Sequence, residues 1–154
     1  MMPAKIFEAI DDLKNVVGTE VYVSDWLTIT QERVNLFAQA TDDYQWIHVD
    51  VERARRESPF GGPIAHGFLT LSLLAKFGVE AVSVTKKRRA ANYGLNKVRF
   101  ISPVRVGARI RARGTLASFD SIPEGAQIVW SVTVELEGSD KPACVAESVA
   151  RLYY

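Results

Sequence analysis

A chain of 154 residues with 19 basic and 18 acidic side chains has a formal net charge of +1, so no overall field draws it to nucleic acid or to an anionic membrane. Its 47% apolar and 24% charged content is ordinary globular usage, which excludes disordered, collagen-like and coiled-coil chains and leaves enough apolar material for one core in one domain, residues 1–154. The single cysteine, Cys144, excludes an internal disulfide and a zinc site built on paired thiolates; it fits a packing residue in a reducing, cytoplasmic setting.

The opening "MMPAKIFEAIDDLKNVVG" carries three acids and no long apolar run, so neither a signal peptide nor a membrane span is expected there. "TEVYVSDW" reads as a first strand. Residues 30–41 read as a helix: Thr30 can cap it, Glu32 lies in the first turn where the dipole favours an acid, and Val34, Phe37, Ala38 and Thr41 share one face. Asp50 can cap a second short helix, "VERARRES", which stops before Pro59 and the pair Gly61 and Gly62.

Between these helices lies "TDDYQWIHVD", residues 41–50, with three carboxylates, a tryptophan and one of the chain's two histidines, but none of the Gly, Pro, Asn or Ser that usually turn a chain. Asp43 and His48 are five residues apart in a segment held at both ends. A carboxylate beside an imidazole can hold and polarise a water, and histidine transfers protons near neutral pH. Spacing alone leaves open the alternative in which Asp43 caps a helix end and His48 is structural. A metal on His48 and His66 with Asp43 or Asp50 has no tight ligand spacing behind it, so no metal is expected.

The next stretch, "PFGGPIAHGF", leads into a long apolar helix over residues 63–82, with Pro63 in its first turn and apolar side chains nearly all round from Phe68 to Ala75. His66 and Gly67 also fall in that first turn, where N–H groups lack helical partners. A carbonyl oxygen docked at the Gly67 N–H would gain a hydrogen bond and the positive end of the helix dipole. The alternative is that Gly67 is glycine because another element crosses closely. Beyond it the period changes to two. In "AQIVWSVTVELEG" Ile128, Trp130, Val132, Val134 and Leu136 share a face, and "GARIRARGTLASF" sets Ala108, Ile110, Ala112 and Leu116 against Arg109, Arg111 and Arg113. "ACVAESVARLYY" makes a third long strand, with "SIPEG" and "GSDKP" as reversals. With "NYGLNKVRF" in the middle, five or six antiparallel strands surround one helix, an α+β layering.

Residues 37–74, "FAQATDDYQWIHVDVERARRESPFGGPIAHGFLTLSLL", resemble the signature of the MaoC-like dehydratases, the hot-dog-fold (R)-specific enoyl-CoA hydratases, and "QWIHVD" is similar to their nodulation-protein-N-like branch. "YGLNKVRFISPVRVGARI" resembles the same family's F-x-x-P-V-x-x-G strand, so the resemblance covers roughly residues 20–115. It implies a single hot-dog domain, an antiparallel sheet wrapped around a long central helix, and a homodimer formed edge to edge. It also implies catalytic Asp43 and His48, an oxyanion contact at the Gly67 N–H, an acyl-CoA or acyl-carrier-protein thioester as substrate, and no cofactor. The expected reaction is hydration of trans-2-enoyl thioesters to (3R)-hydroxyacyl thioesters, or its reverse. Gln45, Trp46, Pro63 and His66 are expected to line the substrate.

Three positions depart from the family pattern. Where the family has Gly before the catalytic Asp this chain has Asp42, and its Asn-Pro is replaced by Gln45 and Trp46. A second carboxylate in the same pocket would raise one of the two pKa values, so Asp42 is expected to face outward. A hot-dog thioesterase and a non-catalytic acyl-binding module are the rival readings. The D-x-x-x-x-H spacing with its H-G partner argues against the first, and the second has no need of the Asp43 and His48 pair. The basic run "KKRR", residues 86–89, reads as a solvated loop, with contact to CoA phosphates as the alternative.

Overall fold

Residues 4–154 are described by a computed structural model, so Met1, Met2 and Pro3 of the opening stretch lie outside the described residues. A short strand β1 (Lys5–Phe7) is followed by a 3₁₀ segment, Ile10–Val16, whose Ile10 and Leu13 are buried. Strands β2 (Glu20–Val23) and β3 (Leu27–Thr28) lead to helix α1 (Gln31–Thr41). Thr30 caps α1 as its sequence predicts, its hydroxyl accepting from the Arg33 N–H at 3.1 Å. Short helices α2 (Trp46–Val49) and α3 (Val51–Glu57) come next, the second capped by Asp50, which accepts from the Arg53 N–H at 3.0 Å. Then follow α4 (Gly67–Ser72), α5 (Leu74–Ala81), and strands β4 (Val82–Val84), β5 (Arg89–Phe100), β6 (Arg109–Ile122), β7 (Gly125–Leu136) and β8 (Cys144–Tyr153).

The period-two stretches form the six-stranded antiparallel sheet, in the order β2-β6-β7-β8-β5 with β3 also on β6. Of the inward residues read from the alternation, Ile110, Ala112, Leu116, Ile128, Val132 and Val134 are buried, while Ala108, Trp130 and Leu136 are half-buried. The sheet wraps the α4–α5 helix in the expected hot-dog, α+β arrangement, with Leu69, Leu73 and Phe77 packed among Ile29, Val34, Val132, Val134 and Cys144. Cys144 is fully buried, and burial pushes its thiol pKa up. "SIPEG" makes a two-residue reversal, with Glu124 at φ 65° and Ile122 opposite Gly125. A Cβ on Gly125 would sit 1.9 Å from the Leu152 carbonyl oxygen of β8, so only glycine fits there. Among the described residues no helix is long and apolar enough to cross a membrane.

Several expectations are corrected. The helix begins at Gly67, not near Pro63, because residues 63–66 find strand partners instead. Ile64 bridges Arg105, the Ala65 N–H donates to the Val104 oxygen at 2.8 Å, and the Val106 N–H donates to the Pro63 oxygen at 3.0 Å. Pro63 therefore lies in an extended lead-in, and His66 is the N-cap rather than part of the first turn. The helix is interrupted at Leu73 and is not buried all round: Leu69, Leu73 and Phe77 form the i, i+4, i+8 stripe, while Phe68 and Val79 are 67% and 78% exposed. Thr41, expected on the inner face of α1, is exposed and returns its hydroxyl to the Phe37 carbonyl. The loop over residues 41–50 contains a helical turn, α2, and the chain's start adds β1, which pairs in parallel with β4.

Candidate active site

The geometry of the site begins with how α1 ends. Asp42 adopts the left-handed conformation, φ 57° and ψ 26°, and both it and Asp43 donate their N–H groups to the Ala38 carbonyl. That turn throws residues 42–45 outward, and all four are exposed. Asp42 faces solvent, as expected. The Asp43 Oδ1 accepts from the Gln45 N–H at 3.4 Å, and the Gln45 carbonyl accepts from the His48 N–H at 3.0 Å, starting α2. α2 then carries His48 inward, where it is 8% exposed.

His48 is fixed on two sides. Its Nδ1 lies 2.7 Å from the Ile64 carbonyl oxygen, which can only accept, so Nδ1 carries the hydrogen and Nε2 is left with the lone pair. Its own carbonyl accepts from the Gln31 side-chain amide at 2.8 Å, which fastens α2 to the start of α1. Burial lowers the His48 pKa below its ordinary value of 6.5; the bond to Ile64 opposes it in part, and the smaller effects of His66, downward, and of the Asp43 carboxylate, upward, follow. The imidazole is thus held neutral at pH 7, ready to accept a proton.

The lead-in strand turns at its end to place His66 against this pair. The rings of His48 and His66 stack with centroids 3.9 Å apart and planes 26° from parallel, and the ring of Phe37 closes on His66 at 5.0 Å. His66 Nε2 lies 3.0 Å from the Asp43 main-chain oxygen and 4.0 Å from its carboxylate. Asp43, His48 and His66 each bring one ligating atom to within 4.8 Å of the others. One nitrogen of each ring faces a main-chain carbonyl, that of Ile64 for His48 and that of Asp43 for His66.

Gly67 opens α4 immediately after His66, so its N–H belongs to the first turn, where helical partners are missing. A Cβ there would come within 2.9–3.1 Å of the Phe100 ring, so the close approach of a β5 side chain favours glycine at this position. Of the remaining expected contacts, Gln45 is exposed beside Asp43, and Trp46 lies half-buried under the Arg53 guanidinium at 4.3 Å. Pro63 is half-buried three residues upstream of His66. Gln31 and the Ile64 carbonyl were not anticipated. Neither was marked by a motif: Ile64 acts through its main-chain oxygen, and the Gln31 amide donates to the main-chain oxygen of His48. A cavity of about 650 Å³ runs beside the helix, bounded by Leu71, Ser72 and Ala75 and by strands β5, β7 and β8. None of Asp43, His48, His66 or Gly67 lines it, and it starts one helical turn beyond Gly67. The run at residues 86–89 is not wholly a loop: Lys86 pairs with Glu8, and Arg89 enters β5 with its guanidinium over Tyr153.

The family described as MaoC like domain matches residues 12–137 of the chain. The chain is 54% identical over 148 residues to 3-hydroxyacyl-thioester dehydratase Z of Mycobacterium tuberculosis (strain ATCC 25618 / H37Rv), a match covering 96% of this chain and 97% of that protein. It is 46% identical over 146 residues to nodulation protein N of Rhizobium meliloti (strain 1021), covering 92% and 89%. Its fold is similar to that of a monoamine oxidase regulatory protein from Archaeoglobus fulgius, with a TM-score of 0.81 at 23% identity over 99% and 98% of the two chains. It is also similar to that of R-hydratase PhaJ1 from Pseudomonas aeruginosa, with a TM-score of 0.73 at 20% identity over 89% and 81%. At those two identities the likeness is one of fold.

Proposed function

The chain belongs to the MaoC-like domain family, and from that premise we propose that it hydrates trans-2-enoyl thioesters to (3R)-hydroxyacyl thioesters and catalyses the reverse dehydration. The observation that carries the reading is the convergence of the Asp43 carboxylate with a buried His48 whose Nε2 is left free. A water held between these two groups adds its oxygen to the β-carbon as one proton passes to Nε2. The alkene electrons move onto the thioester oxygen, which the Gly67 N–H holds. The proton on Nε2 then returns to the α-carbon, so one water is consumed and nothing else is needed to balance the step. Asp43 orients the water by accepting its second hydrogen. Run backwards, the same groups remove the hydroxyl of a 3-hydroxyacyl thioester.

The substrate is an acyl thioester of CoA or of a carrier protein. Its acyl chain fits the cavity beside the helix, whose size suits a small-molecule site and whose walls are mainly apolar. A second copy of the chain is the proposed partner: β5 ends the sheet with an unpaired edge of twelve residues, and Tyr93, Leu95 and Phe100 on it are exposed.

The test is turnover of crotonyl-CoA followed by loss of the enoyl-thioester absorbance, with the product passed to an (S)-specific hydroxyacyl dehydrogenase. Hydration without NADH formation is the expected result, and strong NADH formation sinks the (3R) assignment. Release of free thiol instead of hydration identifies a thioesterase, and binding without turnover identifies an acyl-binding module.

A further inference from the structure

The hydration chemistry makes no use of the second histidine, although His66 is only 3% exposed and touches both members of the pair. Its Nε2 faces the Asp43 carbonyl oxygen at 3.0 Å. That oxygen only accepts, so Nε2 carries the hydrogen; the other nitrogen, Nδ1, is buried without a hydrogen-bond partner among the described residues. The ring itself forms the surface on which the His48 ring lies.

The two sides of this contact differ in stiffness. His66 is anchored at both ends: Ile64 and Ala65 before it donate to Ile47 and Val104, and its own carbonyl accepts from the Leu69 and Thr70 N–H groups. Asp43 sits in a four-residue exposed stretch that leaves α1 through a left-handed turn. Between the Asp43 N–H and the start of α2, the His66 contact is the tie that runs from this stretch to a buried element. We infer that His66 is a positioning residue, whose Nε2–H fixes the main chain at Asp43 and thereby the place of its carboxylate relative to His48. The inference uses the hydratase reading only for its kinetic assay. A displacement of about 1 Å at a reacting group can lower a rate about 10²-fold, so a bond far weaker than the chemistry it serves can control turnover.

Three variants separate this role from plain packing. His66→Phe keeps a ring against His48 and removes the donor. His66→Gln keeps an amide N–H near the former Nε2 position, and His66→Asn keeps the amide but falls short of the Asp43 oxygen. His66→Phe and His66→Asn are expected to lower kcat for crotonyl-CoA about 10²-fold with KM within about twofold, and His66→Gln to recover at least about tenfold of that loss. In an Asp43→Asn background the His66→Phe change should lower the rate by no more than about threefold further, because the carboxylate it positions is already gone. Independently of turnover, backbone order parameters of residues 42–45 should fall in His66→Phe and His66→Asn and hold in His66→Gln.

Unchanged order parameters in both donor-less variants overturn the inference, whether or not the protein is a hydratase. So do equal kcat losses in the Gln and Asn variants, or losses that multiply with Asp43→Asn. If His66→Phe does not fold, the Gln and Asn pair decides the matter alone. Absence of hydratase activity in the unaltered protein counts against the proposed reaction, and the order parameters still test His66.

Discussion

With Nδ1 of His48 donating to the Ile64 carbonyl, Nε2 is the nitrogen left for proton transfer, and the proposed reaction puts it on a water shared with Asp43. Asp43→Asn and His48→Gln are each expected to lower the hydration rate ~10²–10⁴-fold. The double substitution should lose little more than either single one, since groups acting on one water work as a unit. Circular dichroism controls for folding, and a double mutant that lost the product of the two effects would place the residues in separate steps. The lowered His48 pKa gives the pH profile a sign: kcat/KM should rise with pH through a midpoint below 6.5. Stability follows with the same sign. The unfolded chain takes up the His48 proton at higher pH than the folded one, so this contribution is complete above the unfolded value. It is lost as pH falls toward the lower folded value. Melting curves of wild type and His48→Gln between about pH 5 and 8 should diverge least at acid pH, with wild type losing more on acidification. Asp43 and His48 were legible as residue types at a telling spacing. Ile64 and Gln31 were not, because a main-chain oxygen at position 64 or 48 leaves no trace in the side chains.

At the scale of single elements, the helix starts were written in the sequence and the ends less so. Thr30 and Asp50 cap α1 and α3 as their side chains predict. Where the chain leaves α1, Asp42 occupies the left-handed position that glycine favours. Glycine, the residue that the resemblance leads one to expect at this position, adopts that conformation freely. Asp42→Gly should therefore raise stability by up to about 1 kcal/mol, read by urea unfolding, since Asp tolerates this conformation better than most residues and glycine gives back some of the gain as chain entropy. The hydration rate should stay within about twofold; a tenfold change would mean that Asp42 acts on the site. The start of α4 misled because "PIAHGF" is apolar enough to extend a helix, and only a partner at residues 104–106, distant in sequence, draws Ile64 and Ala65 into extended pairing. Phe68 and Val79 misled for the opposite reason: apolar type does not say which face of a helix the sheet will cover.

For the molecule as a whole, period-two alternation made the β6-β7-β8 meander readable, because neighbours in sequence are neighbours in the sheet. The parallel pairing of Lys5–Phe7 with Val82–Val84 was invisible, since nothing local to three residues names a partner so far along the chain. The long unpaired edge of β5 sets the expectation for assembly: light scattering at micromolar concentration should return twice the mass of one chain, and a single-chain mass would remove the proposed partner. The strand order has a further consequence, during synthesis. Every residue of the site, from Gln31 to Gly67, leaves the ribosome before any strand of the meander, and β5 must await β8, its neighbour in the sheet. Between the completion of α5 and that of β8 about 70 residues are added, roughly 4–15 s at typical elongation rates. Until β6 and β7 have emerged and paired, Leu69, Leu73 and Phe77 lack the sheet they pack on, and the sheet is not complete until β8. The nascent chain thus carries the proposed site residues well before the sheet that covers the helix beside them is complete.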